Sequence, residues 1–290
     1  KIGASLLSIP MAHEMIGFYT VADDSDGILK VMRSYQYYAA SKISDKVAKN
    51  KWQDKNQLGG YIWHTTGSGK TLTSFKSAQL IASSKDADKV IFLMDRIELG
   101  TQSLKEYRAF ADNADDIQDT EDTHVLVSKI KSEDPANTLI VTSIQKMSNI
   151  GKENDGLKQA DLEKMTSKRI VFIIDECHRS TFGDMLITIK DTFPNALFFG
   201  FTGTPIQNEN QKKMNTTSDF GEELHRYSIA DGIRDGNVLG FDPYKVLTYK
   251  DSELREAVAL AKAHANTRQE ALDNPSKKKV YLLSRASREV

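Results

Sequence analysis

Continuous apolar runs punctuate the first two-thirds of the chain: Tyr61–Trp63, Val90–Met94, Val125–Val127, Leu139–Val141, Ile170–Ile174 and Leu197–Phe201. A strand with one wet face alternates apolar and polar residues, whereas a strand covered on both faces does not, so these runs predict buried strands. Helix-period patterns separate them, the clearest placing Leu72, Phe75, Ala78 and Ile81 on one face. Strands interleaved with helices predict an α/β fold with a mostly parallel sheet, whose ligands bind beyond the carboxyl ends of the strands. Three polar stretches, Asp112–Asp122, Gly151–Gly156 and Gln207–Ser218, read as exposed loops. The first holds six acids in eleven residues but lacks the central glycine and terminal Glu of a calcium loop. From about Asn237 the pattern changes to a short extended piece, Tyr244–Tyr249. A helix from about Leu254 to Ala271 follows, then Asn274-Pro275-Ser276 and a last apolar run, Val280–Leu283.

Composition narrows the picture modestly. At 290 residues the chain can hold one large core or two smaller units, and two is the expectation. Its net charge is −1, from 39 basic and 40 acidic residues, so any nucleic-acid contact must use local patches and helix N-termini. Lys49, Lys51 and Lys55, and the run Lys277-Lys278-Lys279, are the candidate patches, although each reads equally well as solvated surface. A single cysteine, Cys177, excludes an internal disulfide and suits a reducing cytoplasm. No apolar stretch approaches the ~18 residues of a membrane helix. The chain begins at Lys1 and ends at Val290 just after an apolar run, which reads as a piece cut from a longer protein.

The strongest chemical signal is Gly59–Thr71, GGYIWHTTGSGKT. A buried strand stops at a loop containing Gly67 and Gly69, and Lys70-Thr71 open a helix. Backbone amides at a helix N-terminus hold polyphosphate, and glycines let the backbone approach without a Cβ in the way. In such a loop the lysine reaches the terminal phosphates and the hydroxyl ligates Mg²⁺. The longer form of the motif would have glycine where His64 stands, so the match is the shorter G-x-G-K-T. About a hundred residues on, the run Ile170–Ile174 ends in Asp175-Glu176-Cys177-His178. One carboxylate at a strand end can hold Mg²⁺ through water, and its neighbour can orient or deprotonate an attacking water.

Asp175-Glu176-Cys177-His178 is a DExH box, and with the phosphate loop the chain resembles the first motor domain of superfamily 2 helicases and translocases. Further segments make it similar to the restriction (motor) subunit of type I restriction enzymes. They are Arg33-Ser34-Tyr35-Gln36, Asp95-Arg96-Ile97-Glu98-Leu99 with Gln102, and Thr142-Ser143-Ile144-Gln145-Lys146. Asp175 to Ser180, Phe201-Thr202-Gly203-Thr204-Pro205 and Asp231-Gly232-Ile233-Arg234-Asp235-Gly236 complete the series. The similarity runs from about Ile28 to Val290. It implies a RecA-like three-layer domain over residues 28–236, a connector from a nuclease region over 1–27, and a linker with the start of a second RecA-like domain over 237–290.

The resemblance also implies roles. ATP and Mg²⁺ are the cofactors. Thr65, Thr66, Gly67, Ser68, Gly69, Lys70 and Thr71 hold phosphates, Gln36 reads the adenine edge, and Thr71 with Asp175 holds the metal. Lys70, Asp175, Glu176 and His178 form the catalytic group, with Glu176 activating water. Arg96, Gln102, Thr142, Ser143 and Gln145 lie along double-stranded DNA, and Thr202 and Thr204 couple it to the nucleotide site. Methyltransferase and specificity subunits are the implied partners. A general superfamily 2 helicase and a nucleotide-gated binding module stay open as alternatives. Cys177 stands where the family more often has Ala, and Gly232 likewise.

Two expected elements are missing from the sequence. No Q-x-x-G-R-x-x-R motif is present, so the arginine that a second motor domain supplies is absent, and poor ATP turnover by these 290 residues alone is expected. No lysine has Asp or Glu two residues before it, which argues against a nuclease centre within the chain. His13-Glu14-Met15-Ile16 lacks the second histidine of a zinc protease helix.

Overall fold

A computed structural model describes residues 9–23, 27–94, 123–152, 159–177, 183–205, 216–240 and 251–286. Six strands form the central sheet: β3 (Gly60–His64), β4 (Lys89–Met94), β5 (Leu139–Ser143), β6 (Ile170–Ile174), β7 (Leu197–Thr202) and β8 (Glu223–Tyr227). Their spatial order is β5-β4-β6-β7-β3-β8, and every pairing is parallel. A separate antiparallel hairpin joins β1 (Thr20–Asp23) to β2 (Ile28–Val31).

Successive strand residues divide between two cores, which is why the strands read as unbroken apolar runs. Ile62, Val90, Phe92, Val171, Ile173, Phe199 and Phe201 pack on one face. There they meet Ala39, Ile43 and Val47 of the helix Ser34–Ala48 and Phe75, Ala78 and Ile81 of the helix Lys70–Ser84. Tyr61, Ile91, Leu93, Phe172, Ile174 and Phe198 point to the other face. They meet the helices Thr123–Lys131, Ile144–Lys152 and Gly183–Thr192 through Leu126, Ile130, Met147, Ile150, Leu186 and Ile189. The result is the three-layer α/β arrangement that the pattern predicts, with all six carboxyl strand ends on one edge.

Several details differ from the sequence reading. Val125–Val127 lies in a helix, because Leu126, Val127 and Ile130 are buried at helical spacing while Val125 faces out. Gly151 belongs to the helix Ile144–Lys152, and Thr216–Phe220 is helical where a loop was expected. The edge strand β8 carries Glu, His and Arg and gives little apolar signal; only Leu224 and Tyr227 are buried. Asp112–Asp122 and Tyr244–Tyr249 lie outside the described residues.

The chain divides into two compact units after Leu239. In the second, the expected helix from Leu254 to Ala271 is two helices, Asp251–Lys262 and Arg268–Asp273. His264 adopts a left-handed backbone, φ 51°, and Thr267 caps the second helix by accepting the Glu270 N–H at 3.2 Å. Val280–Leu283 lies within a third helix, Pro275–Ala286, of which Tyr281 is buried against Ala259, Ala263 and Ala271.

Candidate nucleotide site

The phosphate-loop segment leaves β3 at its carboxyl end. The Thr65 N–H donates to Tyr227 O of β8 at 3.0 Å, and the Ser68 N–H and hydroxyl both donate to Thr65 O, at 3.2 and 2.6 Å. This winds the loop tightly. Gly67 and Gly69 take left-handed conformations, φ 78° and 76°, which a side chain would oppose. Gly67 needs the freedom for the turn alone, since a Cβ there would meet nothing within 4 Å. The helix Lys70–Ser84 starts at once, leaving first-turn amides without intrahelical acceptors beside the exposed Thr66, Gly67 and Gly69.

Two strands away in the sheet, β6 delivers the acids to the same edge. Asp175 is buried and accepts the Glu176 N–H at 2.9 Å, while Glu176 itself has φ 47°. A left-handed non-glycine is uncommon outside turns and special sites. The Cys177 N–H donates to Phe201 O at 3.0 Å and fixes the chain beyond the turn. The Glu176 carboxylate then stands 3.5 Å from Lys70 Nζ, so the two motifs meet across the end of β7. Cys177 is buried as expected, and burial with the neighbouring acids pushes its thiol well above the usual range. A Cβ at Gly200 would come 2.6 Å from Cys177 Sγ, which accounts for the glycine at that strand position.

Gln36 and Tyr35 brace the loop from behind. Gln36 is buried; its Oε1 accepts the Arg33 N–H at 2.9 Å, and its Nε2 lies 3.3 Å from both Ser68 O and Gly69 O. Both halves of the amide therefore engage the protein backbone in this conformation. Tyr35 donates to Ser68 O at 2.7 Å and stacks on Tyr227 with ring centroids 3.7 Å apart. His64 lies fully buried below the loop. Its Nε2 is 2.9 Å from His225 Nδ1, and its own Nδ1 has no hydrogen-bond partner. Burial, helped by His225 and Lys70, pushes its pKa down to about 3. A neutral ring thus fills the place of the first glycine in the longer motif.

The other expected residues separate into groups. Thr202 is buried at the end of β7, and its Oγ1 accepts the Thr204 N–H at 3.0 Å; Thr204 itself is exposed. Thr142 and Ser143 are also buried, Ser143 accepting the Lys146 N–H at 3.3 Å to start the next helix, while Gln145 is half-buried. Arg96, Gln102 and His178 lie outside the described residues. Sequence reading missed His225 and Tyr35 as parts of the site and noted His64 only as a departure from the longer motif; apart from Tyr35 beside Gln36, no local pattern marks their contacts.

The donor set suits a magnesium triphosphate. A buried cation, a run of helix-start amides and two carboxylates share one edge. Among the described residues no three His, Cys, Asp or Glu side chains cluster into a metal cage.

Residues 35–278 match the SWI2/SNF2 ATPase family. The chain is 42% identical over 278 residues to the type I restriction enzyme SauCOLORF180P endonuclease subunit of Staphylococcus aureus (strain COL), covering 94% of this chain and 28% of that protein. It is 43% identical over 173 residues to the C-terminal part of the putative type I restriction enzyme MpnIIP endonuclease from Mycoplasma pneumoniae, covering 58% of this chain and 82% of that protein. Among solved structures, a nuclease-deletion mutant of the Type ISP restriction-modification enzyme LlaGI, in complex with a DNA substrate mimic, aligns with a TM-score of 0.52 at 18% identity. That alignment covers 88% of this chain and 26% of LlaGI, and it speaks to fold. The chain thus spans a little over a quarter of the staphylococcal relative. On the family match and these identities, the chain belongs to the SWI2/SNF2 ATPase family and is a homologue of type I restriction endonuclease subunits.

Proposed function

We propose that this chain is the ATP-hydrolysing part of a type I restriction endonuclease subunit, and that hydrolysis moves double-stranded DNA past it. The observation that carries the reading is the 3.5 Å approach of Lys70 Nζ to Glu176 Oε1 across the carboxyl edge of the sheet. Mg²⁺ and ATP supply the charge-neutralising cation and the phosphoanhydride to be cleaved. Thr65 to Thr71 would cradle the phosphates through backbone amides and Lys70, while Thr71 and Asp175 would hold the metal. Lys70 exchanges Glu176 for phosphate, which frees the carboxylate to take a proton from the attacking water. His178 completes the family's catalytic group.

Gln36, which braces the loop in this conformation, would exchange its Ser68 O and Gly69 O contacts for the adenine edge. Thr202 and Thr204 would couple the nucleotide site to DNA lying along Arg96, Gln102 and the Thr142–Gln145 turn, where Gln145 offers the more accessible side chain. Residues 1–27 are read as a connector from a nuclease region, 28–236 as the first RecA-like motor domain, and 237–290 as a linker with the start of a second. Methyltransferase and specificity subunits are the proposed partners, in the cytoplasm. Among the described residues no helix is long and apolar enough to cross a membrane.

Glu176→Gln in the full-length natural protein tests the reading. Binding of a non-hydrolysable ATP analogue should persist while DNA-stimulated turnover falls by about 10²-fold or more. Unchanged turnover would point instead to a nucleotide-gated binding module. Stimulation by RNA in preference to duplex DNA would favour a general helicase.

A further inference from the structure

Trp63 sits at a junction that the phosphate loop, the DExH box and the Thr202–Thr204 turn leave unexplained. It is the penultimate residue of β3, one position before His64, and its register partner on the neighbouring strand β7 is Thr202. Its indole Nε1–H donates to Gly203 O at 3.0 Å. Arg226 of β8 lies over the ring, 4.2 Å from the centroid, and two hydrogen bonds of 2.9 and 2.8 Å to Glu223 hold that guanidinium in place. The indole is thus gripped on its face by one neighbouring strand while its N–H reaches the turn that ends the other.

The turn it reaches borders the loop. A Cβ added at Gly203 would lie 3.4 Å from Thr66 Oγ1, 3.5 Å from His64 O and 3.5 Å from Lys70 Nζ. These are ordinary contact distances, so the turn packs against the loop and the lysine, and the Thr202 hydroxyl holds the turn's shape by accepting the Thr204 N–H. Trp63 is half-buried at the strand end, so the fold asks only for an apolar ring here. Phenylalanine would fill that slot and still receive Arg226. The atom that distinguishes tryptophan is the N–H aimed at Gly203.

We propose that Trp63 is a positioning residue that ties the Gly203–Thr204 turn to the phosphate-loop strand, so that displacement of Lys70 by a bound nucleotide is passed to the turn. The proposal rests on the motor reading above and assigns a residue to its coupling step. Loss of the tie should uncouple hydrolysis from movement without weakening nucleotide binding.

The test uses the full-length natural protein and compares Trp63→Phe, Thr202→Ala and the double variant. Three quantities are read: affinity for a non-hydrolysable ATP analogue, DNA-stimulated ATP turnover, and base pairs moved per ATP. Trp63→Phe should leave affinity and turnover close to those of the parent. Movement per ATP should fall about fivefold, the share of one neutral hydrogen bond. The double variant should move DNA no worse than Thr202→Ala alone. Proportional loss of turnover and movement, or additive losses in the double variant, would reduce Trp63 to a packing residue and overturn the proposal.

If the parent protein hydrolyses ATP but moves no DNA, the motor reading fails, and the tie is then judged by fluorescence. Subtracting the emission of the Trp63→Phe variant from that of the full-length parent isolates Trp63. Its emission should shift when the ATP analogue binds, and Thr202→Ala, which removes the hydroxyl that shapes the turn, should diminish the shift. An analogue that binds without altering the emission would overturn the tie itself.

Discussion

Lys70 and Lys89 are both withdrawn from solvent, at 8% and 2% exposure, but they stand at opposite edges of the sheet. Lys70 follows the carboxyl end of β3; Lys89 opens β4 at the amino edge. The Lys70 ammonium faces a carboxylate 3.5 Å away, beside a loop of left-handed glycines. The Lys89 ammonium donates to Asn137 O at 2.6 Å, and burial together with Lys168 pushes its pKa down to about 8. Nearby, Arg169 and Asp88 pair with each other at 2.7 Å. A buried lysine is costly at either edge. At the carboxyl edge its partner is a carboxylate beside helix-start amides, which a polyanion could replace; at the amino edge, with Asp88 and Asp134 nearby, it donates to a backbone carbonyl and serves as a strut between two chain segments.

The two lysines should differ most in turnover. Lys70→Ala in the full-length natural protein should lower ATP hydrolysis on the order of 10² to 10³-fold, the usual loss of one charge-stabilising group, with little change in melting temperature. Lys89→Met should leave hydrolysis within about twofold, because nothing at the amino edge touches the reacting groups. Comparable losses from both substitutions would refute the division.

That division was partly legible in the sequence. The glycines of the loop and the paired acids after Ile174 are residue types with few other uses in that order, and the buried strands declare themselves because both faces are apolar. Lys89 carries no such mark, since burial of a strand-initial lysine depends on Asn137, which is distant along the chain. The same limit hid the histidine pair and the Trp63 tie. His64 meets His225 across 161 positions, and Trp63 meets Gly203 across 140. Strand β8, which brings His225 and Arg226 to the site, is an edge strand whose sequence ELHRY is too polar to stand out. Val125–Val127 erred in the opposite direction, because a short apolar run does not by itself distinguish a strand from a helix face.

The two edges should also titrate in different pH windows, the carboxyl edge more strongly. His64 is held neutral in the folded protein, with a pKa near 3 against 6.5 when unfolded. The unfolded chain therefore binds more protons between those values, so this contribution to stability is complete above about pH 6.5 and is lost as the pH falls. Lowering the pH from 7 to 5 should cost about 2 kcal/mol through this group. His225, also shifted down by burial, acts in the same direction. Urea midpoints at the two pH values read the effect, and His64→Asn should remove most of it. A pH dependence surviving in His64→Asn would mean that other groups carry the acid sensitivity.

At the amino edge the window lies on the alkaline side. Lys89 loses its proton near pH 8 in the folded protein but near 10.5 when unfolded. Between those values the unfolded state again holds more protons, so stability should rise with pH as the cost of burying the charge is relieved. Asn137 O keeps an acceptor role toward either form of the amine, so the hydrogen bond does not oppose the change. Allowing for solvent screening around the neighbouring Lys168, the gain from pH 7.5 to 9.5 should be about 1 kcal/mol. Lys89→Met should flatten the slope over that interval and leave the acid-side response of His64 untouched. The experiment therefore separates the edges by sign-matched but non-overlapping titrations. If Lys89→Met altered the acid limb, or left the alkaline slope intact, His64 and Lys89 would not titrate independently, and the assignment of one limb to each edge would have to be redrawn.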